Sequence, residues 1–169
     1  MTIDKELNLT PIEMKDAKEV FAAFDARVIE FLPLESPPRQ IEETESFIRA
    51  MVKQREEGED LVWVIRSFSD FIGCCGIHTI KSRRPHFGLW IKHEQQHKGY
   101  GKKVVNHMLK WALENLDIDF IKYPVDKRNV RSIKIIEDYG AVLSAEYEEG
   151  EKKKLQILEY RLFPKKIDS

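Results

Sequence analysis

The stretch Gln96-His97-Lys98-Gly99-Tyr100-Gly101 combines residue types that can hold an anion. It follows an apolar run, Phe87 to Ile91, by a few residues and opens a helical pattern. The first turn of a helix carries unpaired N–H groups and the positive end of the helix dipole. Together these suit a phosphate or pyrophosphate. Gly99 and Gly101 let the backbone approach a ligand with no Cβ in the way. Lys98, Lys102 and Lys103 add positive charge close by. Two familiar phosphate loops fail at named positions. A P-loop needs glycine at 96 and serine or threonine at 103, where the chain has Gln96 and Lys103. A dinucleotide fingerprint needs a small residue at 104 and a parallel unit, where the chain has Val104 after consecutive strand-like runs. A plain glycine-rich turn before a helix is the structural alternative.

The elements that must position this loop are legible as a series. Leu7 to Thr10 reads as a short strand ended by Pro11. Ala17, Val20, Phe21, Phe24 and Val28 recur at helical spacing and predict a first helix ending near Phe31. Pro33, Pro37 and Pro38 break the chain, and Ile41, Ile48, Met51 and Val52 mark a second helix closing near Gly58. Three strand runs follow: Leu61 to Arg66, Phe71 to Ile80, and Phe87 to Ile91 after the basic connection Lys81 to Pro85. Gly73 and Gly76 inside the second run predict a bulge or a close backbone approach. Val104, Val105, Met108, Leu109, Ala112 and Leu116 share one side of a third helix. Ile118 to Val125 reads as a strand, and Asn129 to Tyr139 as a short helix capped by Asn129 and stopped by Gly140. Val142 to Tyr147 and Leu155 to Phe163 form a hairpin around Gly150, with Glu148 to Lys154 as its solvated tip. The sum is a mixed sheet with helices on both sides.

Composition bounds the function. The 169 residues suit a single domain spanning 1–169, with 34% charged and 42% hydrophobic residues. A net charge of -1 offers no basic field for nucleic acid. No apolar run approaches the roughly 20 residues that span a bilayer, so no membrane partner is expected. Met1 to Thr10 lacks the apolar core of a signal peptide, which makes the cytoplasm the default. Cys74 and Cys75 are neighbours on a strand and point to opposite faces, which disfavours a mutual disulfide or a shared metal. No metal site is expected.

Gln96, Gly99 and Gly101 fit the pattern Q/R-x-x-G-x-G/A. Asn129 and Ser132, then Gly140 and Ala141, fit N-x-x-S followed by G-F or G-A, one strand and one helix further on. On these residues the chain resembles the GNAT acetyltransferase superfamily. Phe71-Ile72-Gly73 and Phe87-Gly88-Leu89-Trp90-Ile91 look like its RimJ/RimL-like branch. The likeness covers nearly the whole chain, and the loop is its one strongly specific part. It implies a GNAT-like α/β fold (a mixed α+β sheet): a central, mostly antiparallel sheet of about seven strands, splayed in the middle and flanked by about four helices. It implies acetyl-CoA as co-substrate. The pyrophosphate would rest on the N–H groups of His97, Lys98, Gly99, Tyr100, Gly101 and Lys102, in the loop that Gln96 opens. The backbone of Ile91 and Lys92 would meet the acyl thioester and pantetheine. Asn129 would reach the pantetheine or phosphate end, cap its helix, or do both. Pro124 gives modest separate support, because a residue with no N–H suits a place where two strands part.

The resemblance further implies a GNAT-type N-acyltransferase that moves the acetyl group directly to a primary amine. Such a transfer needs a proton acceptor, a donor for the developing oxyanion near Ile91 and Lys92, and a route for the leaving thiolate. His86 stands where many RimL-like sequences carry a glutamate, and histidine titrates near neutral pH. His78 on the preceding strand is its rival, and a basic loop histidine with no role is the alternative; Glu94 reads as solvated. The tyrosine that many relatives carry seven residues after the asparagine is Ile136 here. Ser132 and Tyr139 are the candidate acids, with Ser132 also readable as a plain first-turn residue. The departures at His86 and Ile136 keep a second reading open, a non-catalytic acyl-CoA-binding module. The acceptor would be a small-molecule amine or a peptide N-terminus; Glu30, Glu35, Glu42 and Glu43 read first as a solvated helix face and otherwise as groups that attract a cationic amine. A homodimer stays open.

Overall fold

A computed structural model describes residues 1–165. Seven strands form one sheet: β1 (Leu7–Pro11), β2 (Leu61–Ser67), β3 (Asp70–His78), β4 (His86–Ile91), β5 (Ile121–Asp126), β6 (Val142–Glu149) and β7 (Leu155–Leu162). Their spatial order is β1-β2-β3-β4-β5-β7-β6. Every neighbouring pair is antiparallel except β4 and β5. The helices are α1 (Ala17–Ala23), α2 (Ile41–Glu56), α3 (Tyr100–Asn115) and α4 (Val130–Asp138). This is the expected mixed α/β architecture with helices on both faces.

The two faces follow from strand alternation. Phe87, Leu89 and Ile91 of β4 pack with the apolar side of α3 and with Ile136 of α4. Trp90 packs on the other face, against the cluster that holds Ala17 and Val20 of α1 and Ile48 of α2. Cys75 belongs to the first cluster and Cys74 to the second, on opposite faces as adjacent strand residues must be, and both are buried. In α3, Val104, Val105, Met108, Leu109 and Ala112 are fully buried. Each large side chain among them contributes on the order of 2 kcal/mol of apolar burial.

The first helix is shorter than its periodicity predicts. It ends at Ala23, and a single tight helical turn, Val28–Phe31, follows separately. Asp25 causes the break, because its Oδ1 accepts the amides of Arg27 at 2.9 Å and Val28 at 3.2 Å. A side chain that takes those amides offers the backbone a local alternative to the helix. β3 stops at His78, two residues before the predicted end, where Thr79 turns to φ 59°. β5 begins at Ile121, three residues after the predicted start. Asn129 caps α4 by accepting the Ser132 amide at 3.3 Å, and Gly140 ends it at φ 91°.

The hairpin tip is docked rather than solvated along its length. Glu35 Oε1 accepts the amides of Lys152 at 2.8 Å and Lys153 at 3.2 Å, and Lys153 Nζ donates to the Ile29 carbonyl at 2.6 Å. Glu43 is engaged in capping α2, accepting the Gln40 amide at 2.9 Å. Two of the four acidic residues, Glu35 and Glu43, are therefore hydrogen-bonded within the fold. Among the described residues no helix is long and apolar enough to cross a membrane.

Gly73 lets β3 and β4 close together. A Cβ there would stand 2.1 Å from the Trp90 carbonyl oxygen, inside any tolerable contact. Gly73→Ala should therefore cost about 1–3 kcal/mol by forcing the two backbones apart. Urea unfolding measures this, and an unchanged midpoint would refute the close approach.

Candidate functional site

β4 and β5 run parallel but meet at one register pair, His86 with Lys122, where the Lys122 amide donates to the Pro85 carbonyl at 2.8 Å. Beyond that pair the strands part. Pairing faces alternate along a strand, so the residue two beyond Lys122 would again present its N–H to β4. That residue is Pro124, which has none. On the other side, the Lys92 amide donates to the Ile72 carbonyl of β3 at 2.8 Å. By the same alternation, Leu89 and Ile91 turn their backbone groups into the gap. Of the expected pair Ile91 and Lys92, only Ile91 offers its amide there.

A cavity of about 680 Å³ occupies this gap and continues to both faces of the sheet. The loop after β4 closes its far end. Gln96 Nε2 donates to the Ile91 carbonyl at 2.9 Å, which ties the loop to the strand end. His97 and Gly99 both take positive φ, 65° and 85°. Gly99 is the N-cap of α3 and carries no side chain to satisfy the first amides. Lys103 is the first to find a helical partner, the Gly99 carbonyl at 3.3 Å. The amides of Tyr100, Gly101 and Lys102 are thus left at the mouth of the cavity. A Cβ on Gly101 would meet only Leu89 Cδ2, at an ordinary 3.7 Å.

The loop's basic side chains divide. Lys102 lines the cavity. Lys98 instead donates to Gln95 Oε1 at 2.8 Å, and Lys103 pairs with Asp4 at 2.9 Å. The Tyr100 hydroxyl donates to Glu6 Oε1 at 2.8 Å, so the N-terminal segment braces the start of α3.

Of the candidate acids, Ser132 lines the cavity and Tyr139 does not. Tyr139 sits at the C-terminal end of α4, its phenol shifted upward by burial and by Glu114. Ile136 is fully buried in the core. A hydroxyl the sequence did not single out stands beside Ser132: Tyr123 of β5 lies 2.6 Å from Ser132 Oγ. Burial pushes that phenol up, against the hydrogen bond with Ser132. Asn129 lines the same wall with its carboxamide oxygen already used in the cap, leaving Nδ2 as its donor.

The opposite face of the gap carries two histidines. His78 and His86 are register partners whose rings stack at 5.0 Å and 26°. His78 Nδ1 lies 2.9 Å from Asp60 Oδ2, and Asp60 Oδ1 accepts the Thr79 amide at 2.8 Å. Burial opposes the charge on Asp60, but the His78 and Thr79 hydrogen bonds outweigh it and hold the carboxyl low. No sequence pattern links Asp60 to His78, because the contact joins the entry of one strand to the exit of the next. Burial, then the neighbouring His78 and Lys122, hold His86 at about 4, so it is neutral near pH 7.

Three comparisons bear on this arrangement. Residues 6–142 match the family model of the acetyltransferase (GNAT) domain. The chain is 26% identical over 91 residues to the acetyltransferase PseH of Campylobacter jejuni, a match covering 54% of this chain and 57% of that protein. Among solved structures, it superposes on RimL, a ribosomal alpha-N-protein acetyltransferase in complex with coenzyme A, at TM-score 0.84. That match has 13% identity and covers 95% of this chain and 96% of that one. The spermidine N-acetyltransferase of Vibrio cholerae, in complex with CoA and spermine, gives TM-score 0.82 at 18% identity over 96% and 98% of the two chains. At such identities the two structures share the fold.

His86 makes stability depend on pH. Its folded value of about 4 lies below the ordinary 6.5, so the unfolded chain binds more protons between these limits. Stability should be full above pH 6.5 and fall as pH drops toward 4. Melting temperatures across that window should show a shallower fall in His86→Gln; equal slopes would contradict the burial of a neutral imidazole.

Proposed function

The chain belongs to the GNAT acetyltransferase family, and from that premise we propose that it is an acyl-CoA N-acyltransferase carrying the acetyl group of acetyl-CoA to a primary amine. One observation carries the reading: the uncapped first turn of α3 opens onto a gap where two strand edges are left unpaired. The amides of Tyr100, Gly101 and Lys102 suit a pyrophosphate, with the Lys102 side chain beside them. The free edge of β4 suits an extended, amide-bearing pantetheine arm, which would add to the sheet where β5 has moved away. Acetyl-CoA supplies the acetyl group as a thioester.

The chain's own residues supply the rest. The Ile91 amide faces the gap and is the proposed donor to a developing oxyanion. Ser132, hydrogen-bonded to Tyr123, is the proposed proton source for the leaving sulfur. The imidazole pair His78 and His86 faces the α1 and α2 side and is where the amine's proton is proposed to go. Asn129 Nδ2 is a further donor toward the arm. The named relatives act on a protein N-terminus and on spermidine; this chain's acceptor is proposed as an amine of either kind.

Thiol release from acetyl-CoA should appear with at least one acceptor in a set containing spermidine, glucosamine and a short peptide with a free N-terminus. Tight coenzyme A binding with no release from any such acceptor would make the chain a binding module instead. Gly99→Val should weaken coenzyme A binding about tenfold or more by straining the φ 85° cap, read by titration calorimetry. Ser132→Ala should lower kcat while leaving that affinity near wild type; an unchanged kcat would remove Ser132 from the proton path.

A further inference from the structure

We propose that His78, oriented by Asp60, is the base that takes the proton from the acceptor amine, over a floor made by the glycine pair Gly76 and Gly88. The inference rests on the acyl-transfer reading above and assigns its proton acceptor.

The geometry fixes which nitrogen is available. Asp60 is ionised and lies 2.9 Å from His78 Nδ1, so Nδ1 carries a hydrogen and, in the neutral ring, the lone pair is on Nε2. Asp60 is itself held by the Thr79 amide. The ring lies along the strand over Gly76: a Cβ there would stand 2.5 Å from Nε2 and 3.0 Å from Cε1. Across the sheet, Gly88 is the register partner of Gly76, and a Cβ on it would stand 3.9 Å from Nε2. Both residues beneath this nitrogen are thus glycines, and His78 and Gly88 line the cavity. A side chain at Gly76 would displace the ring, and one at Gly88 would fill the approach to it.

His86 is the weaker candidate. Its low basicity near pH 7 gives little pull on an ammonium proton. Its stacking on His78 makes it a positioning residue, because it packs against one face of the ring and limits its rotation. The charged and titratable groups around the two rings are Asp60 at the start of β2, Lys122 of β5 and Glu159 of β7.

The step balances without a further reactant. The ammonium gives one proton to His78 Nε2, and the imidazolium formed is stabilised by Asp60. The amine lone pair forms the C–N bond, the carbonyl electrons collapse back, and the C–S bond breaks with its pair on sulfur. The nitrogen's remaining extra proton is relayed through the Ser132 hydroxyl to the leaving sulfur, giving amide and thiol, and His78 returns its proton to water.

The test uses thiol release with the best acceptor of the set above, checked for folding by circular dichroism and for coenzyme A affinity. His78→Gln should lower kcat about 10²–10³-fold and remove the acidic limb of the kcat/KM pH profile. Asp60→Asn, of the same shape and insurance against a misfolded His78 variant, should lower kcat about tenfold with coenzyme A affinity kept, since the carboxylate orients the ring through Nδ1. Gly88→Val should raise the amine KM with coenzyme A affinity kept. A wild-type kcat and pH profile in folded His78→Gln would overturn the assignment. So would loss of the limb in His86→Gln with His78→Gln unaffected. If the wild-type chain releases no thiol with any acceptor, the acyl-transfer reading fails, and the base assignment with it.

Discussion

The structure turns on a single hydrogen-bonding constraint: β4 and β5 are adjacent in the sheet but joined at only one end. Sheets normally bury or pair their backbone groups, and an unpaired buried amide is costly. Here the pairing stops after His86 and Lys122, and the next β5 position that would face β4 is Pro124. A proline at that position removes a donor that would otherwise have to be satisfied. The opposite edge keeps its groups, with Ile91 half engaged through Gln96. The result is a cavity walled in part by unpaired backbone.

Everything around the gap is arranged to keep it open and shaped. The close approach at Gly73 fixes β4 against β3, so the divergence falls entirely on the β5 side. Gln96 pins the loop to the strand end, and the two positive-φ residues behind it turn the chain into α3. The apolar face of α3 is fully buried, which holds its exposed first turn in place. On the other face, the docked hairpin tip and the Val28–Phe31 turn narrow the entrance. Arg128 links that turn to β5 by holding buried Asp126 at 2.7 Å while lying over the Phe31 ring.

The two faces of the gap differ in chemistry. On the α3 and α4 side lie amides, Ser132 and Tyr123, groups that donate. On the α1 and α2 side lie two imidazoles and a carboxylate, groups that accept and store a proton. Strand alternation produces this division: β4 sends Leu89 and Ile91 one way and His86 and Gly88 the other. Proton donors and acceptors are therefore separated by the thickness of one sheet, with the backbone edge between them. Asp60 and His86 bias the acceptor side in opposite senses, one by favouring positive charge and the other by excluding it.

The sequence by itself determined the element order, the two helical caps at Asn129 and Gly140, and the glycine-bearing turn into the third helix at Gln96 to Gly101. These are local features: periodicity, capping chemistry and glycine placement act over a few residues and survive without knowledge of what packs against them. It also flagged Pro124 and Gly73, because each breaks a rule of strand composition. It misjudged the end of the first helix, where the Asp25 side chain outcompetes a good apolar period. The tertiary structure alone decided which expected residues share the cavity. It removed the Lys92 amide by pairing it with Ile72, drew Lys98 and Lys103 to other partners, and set Tyr139 outside while bringing Tyr123 to Ser132. It also joined Asp60 to His78. Such contacts are set by register and by which face a side chain takes, and a shift of one residue would reverse them. That is why the ligand class was legible in a loop of six residues, while the partners of Ser132 and His78 required the folded sheet.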